Sequence, residues 1–156
     1  MIKYCILCDL DGVLFDSREW HKYAPTKKDD REGWDEFQKH VDVCKPNYRM
    51  GEKLLKFNKI FPIIFITSRE NTPFLLKETK AQIKKATKGQ LIIGTRNKLF
   101  MRNFKDYRPA AKVKEEIYLK EIKDIYEPLF IIDDELENIK VFEKHGIRGI
   151  HYTKFK

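Results

Sequence analysis

Residues 3–16 read KYCILCDLDGVLFD. The opening run, Lys3 to Cys8, is mostly apolar and too short for a helix. It stops at a carboxylate, Asp9, and Gly12 follows just beyond. A short apolar run closed by turn residues is the signature of a buried strand. Four more runs share that character: Phe61–Thr67 (FPIIFIT), Gln90–Ile93 closed by Gly94, Pro128–Asp133, and Arg148–Tyr152. Helical patterns separate them. Asn71 or Thr72 caps a helix running to about Thr87, with Pro73 in its first turn. Pro109 opens another, and Glu135–Lys144 forms a third that Gly146 stops. Tyr48–Asn58 is a helix leading into the second strand. Strands alternating with helices predict an α/β fold, a Rossmann-like parallel sheet flanked by helices. Between Phe15 and Lys59 the rhythm fails. No convincing strand occurs there, and Trp34–Val43 reads as a helical piece. This predicts a small helical insertion over the sheet, spanning about residues 16–45, within a single domain covering 1–156.

The composition agrees. The 156 residues are 42% hydrophobic and 13% aromatic, which excludes a disordered or low-complexity chain. The longest apolar run, Phe61–Ile66, is far short of a membrane span, so no membrane partner is expected. Too few residues precede Asp9 for the apolar stretch of a signal peptide. Three cysteines are an odd number, and Cys5 and Cys8 lie in a strand, where they face opposite sides; core packing is the reading. Cys44 is unassigned. These features predict a reducing, cytoplasmic setting. The net charge is +8, and residues 70–102 hold eight basic against two acidic side chains. Such a balance favours polyanions, though lysines also keep surface helices solvated. Lys77, Lys80 and Lys84 would run away from the rim of the sheet along one helix. No segment marks a protein partner. His21, His40, His145 and His151 have no partner at ligand spacing.

Parallel α/β sheets bind ligands beyond the carboxyl ends of their strands. Here those ends carry Asp9 and Asp11, then Thr67-Ser68-Arg69, then Asp133-Asp134. Carboxylates crowded on one rim repel one another and call for a hard cation held by oxygen, for which Mg²⁺ is the expectation. Mg²⁺ in turn suits phosphate chemistry. Asp9, ionised at a strand tip, can attack phosphorus. Asp11 can protonate the leaving alcohol and then take a proton from water. Like-charge crowding should keep a proton on one member of that pair. Thr67 can hydrogen-bond a phosphoryl oxygen, and a lysine can neutralise both that group and Asp9. Asp9, Asp11, Asp133 and Asp134 form the expected metal set. Glu137, one turn beyond Asp134, reads as surface.

ILCDLDGVLFD resembles the first motif of the haloacid dehalogenase superfamily, FITSR its second, and FIIDD its fourth, with Lys114 as the third. The resemblance covers nearly the whole chain and implies the superfamily's fold with a cap after the first strand. The second acid, Asp11, points to phosphate rather than halide substrates. Three further segments, GWDEFQKHVDVCKPN, LFMRNFKDYRPAAKVKEEIYLKEI and FIIDDELENIKVFEKHGI, resemble the phosphatase domain of phage polynucleotide kinase/3′-phosphatases. That resemblance implies Lys114 rather than Lys112 as the third-motif lysine. It implies Arg69 as a phosphate ligand, with Arg102 and Arg108 as weaker substrate-binding candidates, and a host cytoplasm if the chain is phage-encoded. Departures occur. Ser68 stands where the family often has Gly, Ala110 where it often has an acid, and Arg18 is the nearest basic residue after the first motif. No GxxxxGK[ST] motif occurs. Three functions follow as candidates: removal of 3′-phosphates from nucleic acid ends through an aspartyl-phosphate, a nucleotidase for free mononucleotides, and an inactive module that grips nucleic acid.

Overall fold

The computed structural model describes residues 1–156. Its centre is a five-stranded sheet in which every pairing is parallel. Strand β1 (Lys3–Cys8) leads into a two-residue ribbon of β2 (Phe15–Asp16) and β3 (Lys45–Pro46). Helix α3 (Tyr48–Asn58) then feeds β4 (Ile63–Glu70), α4 (Pro73–Ala86) and β5 (Lys98–Arg102). Helix α5 (Ala110–Ile117) crosses back to β6 (Tyr126–Asp133), and α6 (Leu136–Glu143) ends at β7 (Arg148–His151). The order across the sheet is β5-β4-β1-β6-β7. The chain moves outward on one side of β1 and then on the other. The strand order therefore reverses at β1, and a crevice opens beyond its carboxyl end.

Alternation along the strands sorts the core into two layers. Ile6 and Cys8 of β1 join Ile63 and Phe65 of β4 on the face covered by Leu54 of α3 and Ile83 of α4. Cys5 and Leu7 join Ile64 and Ile66 on the opposite face, beneath Tyr118, Ile122 and Phe142. Both faces of the central strands are thus buried, which explains their continuous apolar runs. Cys5 and Cys8 lie in different layers, and burial pushes the Cys5 thiol up to about 12. They are inert packing groups. Thr72 caps α4 by accepting from the Leu75 N–H at 3.2 Å, and Asn47 caps α3 by accepting from Met50 at 3.3 Å. No helix is long and apolar enough to cross a membrane.

Two expectations need correction. The strand on the far side of β4 is Lys98–Arg102, not Gln90–Ile93. Leu91 is buried, yet its N–H donates to the Thr87 hydroxyl at 3.2 Å and not to a neighbouring strand. Only an isolated bridge joins Ile93 to Asn97. As an edge strand, β5 is half-covered and begins and ends on a cation, so it lacks the uniform apolar run of a central strand. The second correction lies between Phe15 and Lys59, where the β2–β3 ribbon forms a stalk. Above it stand α1 (Arg18–His21), α2 (Arg31–Gln38) and a 3₁₀ turn at Val41–Val43. Asn47 braces the stalk by donating to the Val13 carbonyl at 2.9 Å.

Candidate active site

The turn after β1 builds the floor of the crevice. Asp9 follows the last strand residue, and its N–H donates to the Ile132 carbonyl at 2.9 Å, which locks it beside β6. Gly12 adopts φ +84°. A Cβ there would come within 2.1 Å of Asp134 Oδ2. Glycine therefore serves the turn and also admits the carboxylate of the neighbouring strand.

Lys114, on α5, is the hub of the site. Its side chain is buried, with Nζ 2.9 Å from Asp9 Oδ1 and 2.7 Å from Asp133 Oδ2. Burial opposes the lysine's charge, but Asp133 and Asp9 more than offset it and hold its pKa above the ordinary range. Lys112 is exposed. Side chains two apart on a helix point to different faces, which settles the choice between them. Asp133 Oδ1 accepts from the Glu135 N–H at 3.0 Å and from Asn138 Nδ2 at 3.1 Å. Asn138 is a buried member of the site that motif reading passes over; its position one turn into the helix after the Asp pair was the available signal.

Asp9, Asp133 and Asp134 offer oxygens that all lie within 4.8 Å of one another, and all three residues are buried. Burial, together with the carboxylate of Asp133, pushes the Asp9 carboxyl well above its usual range. The like-charge repulsion felt by Asp9 thus comes from Asp133 first, and Asp11 contributes least. Asp11 stands apart from the trio. Arg69 grips its carboxylate as a fork, Nη2 to Oδ1 at 2.7 Å and Nε to Oδ2 at 2.9 Å. The expected four-carboxylate metal set therefore narrows to three side chains, because both oxygens of Asp11 are engaged by Arg69. The donor set fits a hard divalent cation. The site holds four carboxylates against two buried cations, Lys114 and Arg69, and the trio is all oxygen.

The other expected site residues fall around this centre. Arg69 is fully buried. Its Nη1 donates to Thr79 Oγ1 at 3.1 Å and to Gln82 Oε1 at 2.6 Å, so α4 holds it from behind. It meets Asp11 and does not line the crevice. The Thr67 hydroxyl is buried and accepts from the Arg69 N–H at 3.2 Å. Ser68 lines the crevice, and its carbonyl accepts from Arg102 Nε at 2.8 Å. Arg102 also donates to the carbonyl of Asp106 at 2.8 Å. It ties the rim loops together while facing the crevice. Arg108 lines the same space but is paired with Asp106 at 2.7 Å and Glu116 at 2.6 Å. Glu137 is exposed and pairs with Lys140, outside the site. Lys77, Lys80 and Lys84 are exposed on α4, and none of them lines the crevice. The space between cap and rim is a cleft of about 590 Å³ whose floor includes Asp9 and Lys114. Its roof comes from the cap, through Trp20, Trp34 and Phe37.

The arrangement suits in-line attack on a phosphorus atom. A buried carboxylate, Asp9, sits against a fixed cation, Lys114, a second carboxylate, Asp11, is held nearby, and the Asp9–Asp133–Asp134 oxygens could hold a metal. Known proteins carry the same architecture. A chain in the structure of a Pnkp1/Rnl/Hen1 complex superposes with a TM-score of 0.71 at 19% identity, covering 96% of this chain and 46% of that one. A second structure, the Pnkp1/Rnl/Hen1 RNA repair complex, gives a TM-score of 0.70 at 19% identity, covering 99% and 44%. The class C acid phosphatase from Bacillus anthracis with tungstate bound gives 0.58 at 16% identity, covering 100% and 69%. The chain thus spans just under half the length of the two repair-complex chains. No curated protein matches the sequence significantly. Residues 3–153 match the family described as the polynucleotide kinase PNKP phosphatase domain, so the chain belongs to that phosphatase family of the haloacid dehalogenase superfamily.

Proposed function

We propose that the protein is a Mg²⁺-dependent phosphomonoesterase that works through an aspartyl-phosphate and removes 3′-phosphates from nucleic acid ends. The observation that carries this reading is Asp9: buried at the tip of β1, braced by Lys114 at 2.9 Å, and open to the cleft. Asp9 attacks phosphorus while the leaving 3′-oxygen takes a proton from Asp11. Lys114 offsets the charge building on the phosphoryl oxygens, and the Ser68 hydroxyl supplies a hydrogen bond to them, while buried Thr67 braces the Arg69 N–H behind the cleft. Asp11 then draws a proton from water, which attacks the acyl-phosphate and frees Asp9. Arg69 positions Asp11, and its fork gives up one oxygen when Asp11 carries the proton. A divalent cation held by Asp9, Asp133 and Asp134 would neutralise charge on the transferring group.

Support for a polynucleotide end comes from the family, from the cationic surface of α4, and from the RNA repair complex in which one neighbour is found. The roofed cleft favours a second reading, a nucleotidase, because 590 Å³ suffices for a whole mononucleotide. Phosphate release from a 3′-phosphorylated oligonucleotide, beside 3′- and 5′-mononucleotides, decides between them. We expect the oligonucleotide to be the better substrate, with activity lost in EDTA and restored by excess Mg²⁺. Full turnover in metal-free buffer would overturn the metal role. Turnover of mononucleotides alone would favour the nucleotidase. No turnover of any of these substrates would leave the inactive binding module.

A further inference from the structure

The cap wall of the cleft is an ordered aromatic series. Trp20 is buried, and its Nε1 donates to the Phe37 carbonyl at 2.7 Å. Its ring lies flat on Phe37, with centroids 4.2 Å apart and planes within 5°. Trp34, one turn earlier on α2, meets Phe37 edge-on at 5.5 Å and 87°. At the inner end, the Arg69 guanidinium lies 5.4 Å from the Trp20 ring centroid. An unbroken series therefore runs from the Arg69–Asp11 pair to Trp34, which is half-buried and faces the cleft.

Trp20 and Phe37 are packed into the core, but Trp34 of α2 leaves part of its indole at the cleft, and that uncovered apolar area is a cost. A flat apolar ligand would offset that cost. The groups facing the wall have the chemistry of a base edge and its backbone. Gln38 accepts from the Glu70 N–H at 3.2 Å, which leaves its own amide N–H groups to donate. Glu70, also on the cleft, presents a carboxylate acceptor. Tyr107 closes the far side, its hydroxyl donating to Asp35 at 2.9 Å beneath the guanidinium of Arg31. Lys28 adds an exposed cation at the lining, suited to a neighbouring phosphate.

We infer that the cap wall is a nucleobase subsite: the base of the nucleoside bearing the scissile phosphate stacks on Trp34. This rests on the reading of Asp9 as the point of phosphoryl transfer. Stacking on an aromatic side chain tolerates every base, because each has a π-face. Stacking therefore selects for a nucleoside, and any preference among bases comes from the Gln38 and Glu70 edge.

The test compares two 3′-phosphorylated oligonucleotides that differ only in the last residue, one carrying its base and one a stable tetrahydrofuran abasic residue. Wild type should favour the base-bearing strand by about tenfold in kcat/KM, chiefly through KM. Trp34→Ala should bring the ratio close to one, and Trp34→Phe should keep most of it. A ratio near one in wild type, or one that survives Trp34→Ala, overturns the inference. The same strands ending in 3′-hydroxyl, followed by quenching of tryptophan fluorescence, separate the two claims. Base-dependent quenching without hydrolysis of either phosphorylated strand sinks the phosphatase reading alone. Equal hydrolysis of both strands with no base-dependent quenching sinks the subsite alone.

Discussion

The rim of the sheet and the cap face each other across one cleft, yet they are held by different means. On the rim, Asp9, Asp133 and Asp134 are buried at strand tips and cross-linked through Lys114. The cap stands on a two-residue ribbon, packs Trp20, Phe37 and Val41 into the core, and is joined to the sheet side by hydrogen bonds, Tyr107 to Asp35 at 2.9 Å, the Glu70 N–H to Gln38 at 3.2 Å and Gln82 Nε2 to the Val41 carbonyl at 2.8 Å. Groups that must hold reacting atoms in place sit on elements buried on both faces. Groups on the cap side of the cleft sit on short helices and turns outside the sheet. One residue pair joins the regimes: Arg69, from the rim, lies between the rings of Phe15 and Trp20 while it holds Asp11.

That contrast can be broken or sharpened by substitution. The largest effect is expected at the rim. Asp9→Asn should lower kcat by about 10⁴-fold or more, since an amide is no nucleophile. Asp11→Asn should cost about 10²- to 10⁴-fold. With a labelled substrate bearing a good leaving group, it should also trap phospho-enzyme on acid quench. A wild-type rate in Asp9→Asn would remove the nucleophile assignment.

Next comes stability. Lys114→Met leaves Asp9 and Asp133 buried without their cation, and stripping one partner from such a cluster costs about 3–5 kcal/mol. Thermal melting should show Tm lower by about 10 °C. An unchanged Tm would mean that the rim is no more tightly bound than the cap.

On the cap side, Tyr107→Phe removes one contact between cap and rim. We expect kcat/KM for an oligonucleotide to fall about threefold, with Tm almost unmoved. A loss of Tm as large as that of Lys114→Met would erase the distinction between the two regions.

The smallest effect concerns the Asp106–Arg108 pair at the cleft mouth. The hydrogen bond from Arg108 pulls the Asp106 carboxyl down to about 2 from an ordinary 3.8. A depressed carboxyl stabilises the fold above its unfolded pKa, and that contribution fades as pH falls from about 4 towards 2. Carbon-13 NMR titration should find Asp106 ionising near 2, and Arg108→Gln should return it towards 3.8. A midpoint that does not move would exclude Arg108 as the cause.

Much of the rim was legible because its signals are local. An apolar run ending in Asp9-Leu-Asp11-Gly12, and another ending in Asp133-Asp134, mark strand tips by composition alone. The parallel fold then brings them to one edge. The helices at 48–58 and 73–86 were equally plain, with Asn47, Thr72 and Pro73 at their starts. The edge strand β5 was not, because half-covered residues carry no uniform apolar pattern. Asn138 carried only a positional hint, and the stacking of Trp20 on Phe37 carried none, since the two rings come from different helices.

The sequence by itself determined which strands end in carboxylates, and therefore at which edge of the sheet the buried acidic cluster forms. Tertiary structure alone decided the partners. It set Lys114 against Asp9 and Asp133 at once, by the phase of α5. It also joined Arg69 to Asp11 across 58 residues of chain and turned the cap's rings towards the cleft. Strand placement follows from short-range burial, which composition records. Pairing between distant side chains follows from packing angles and helix phase, which exist only once the elements have met.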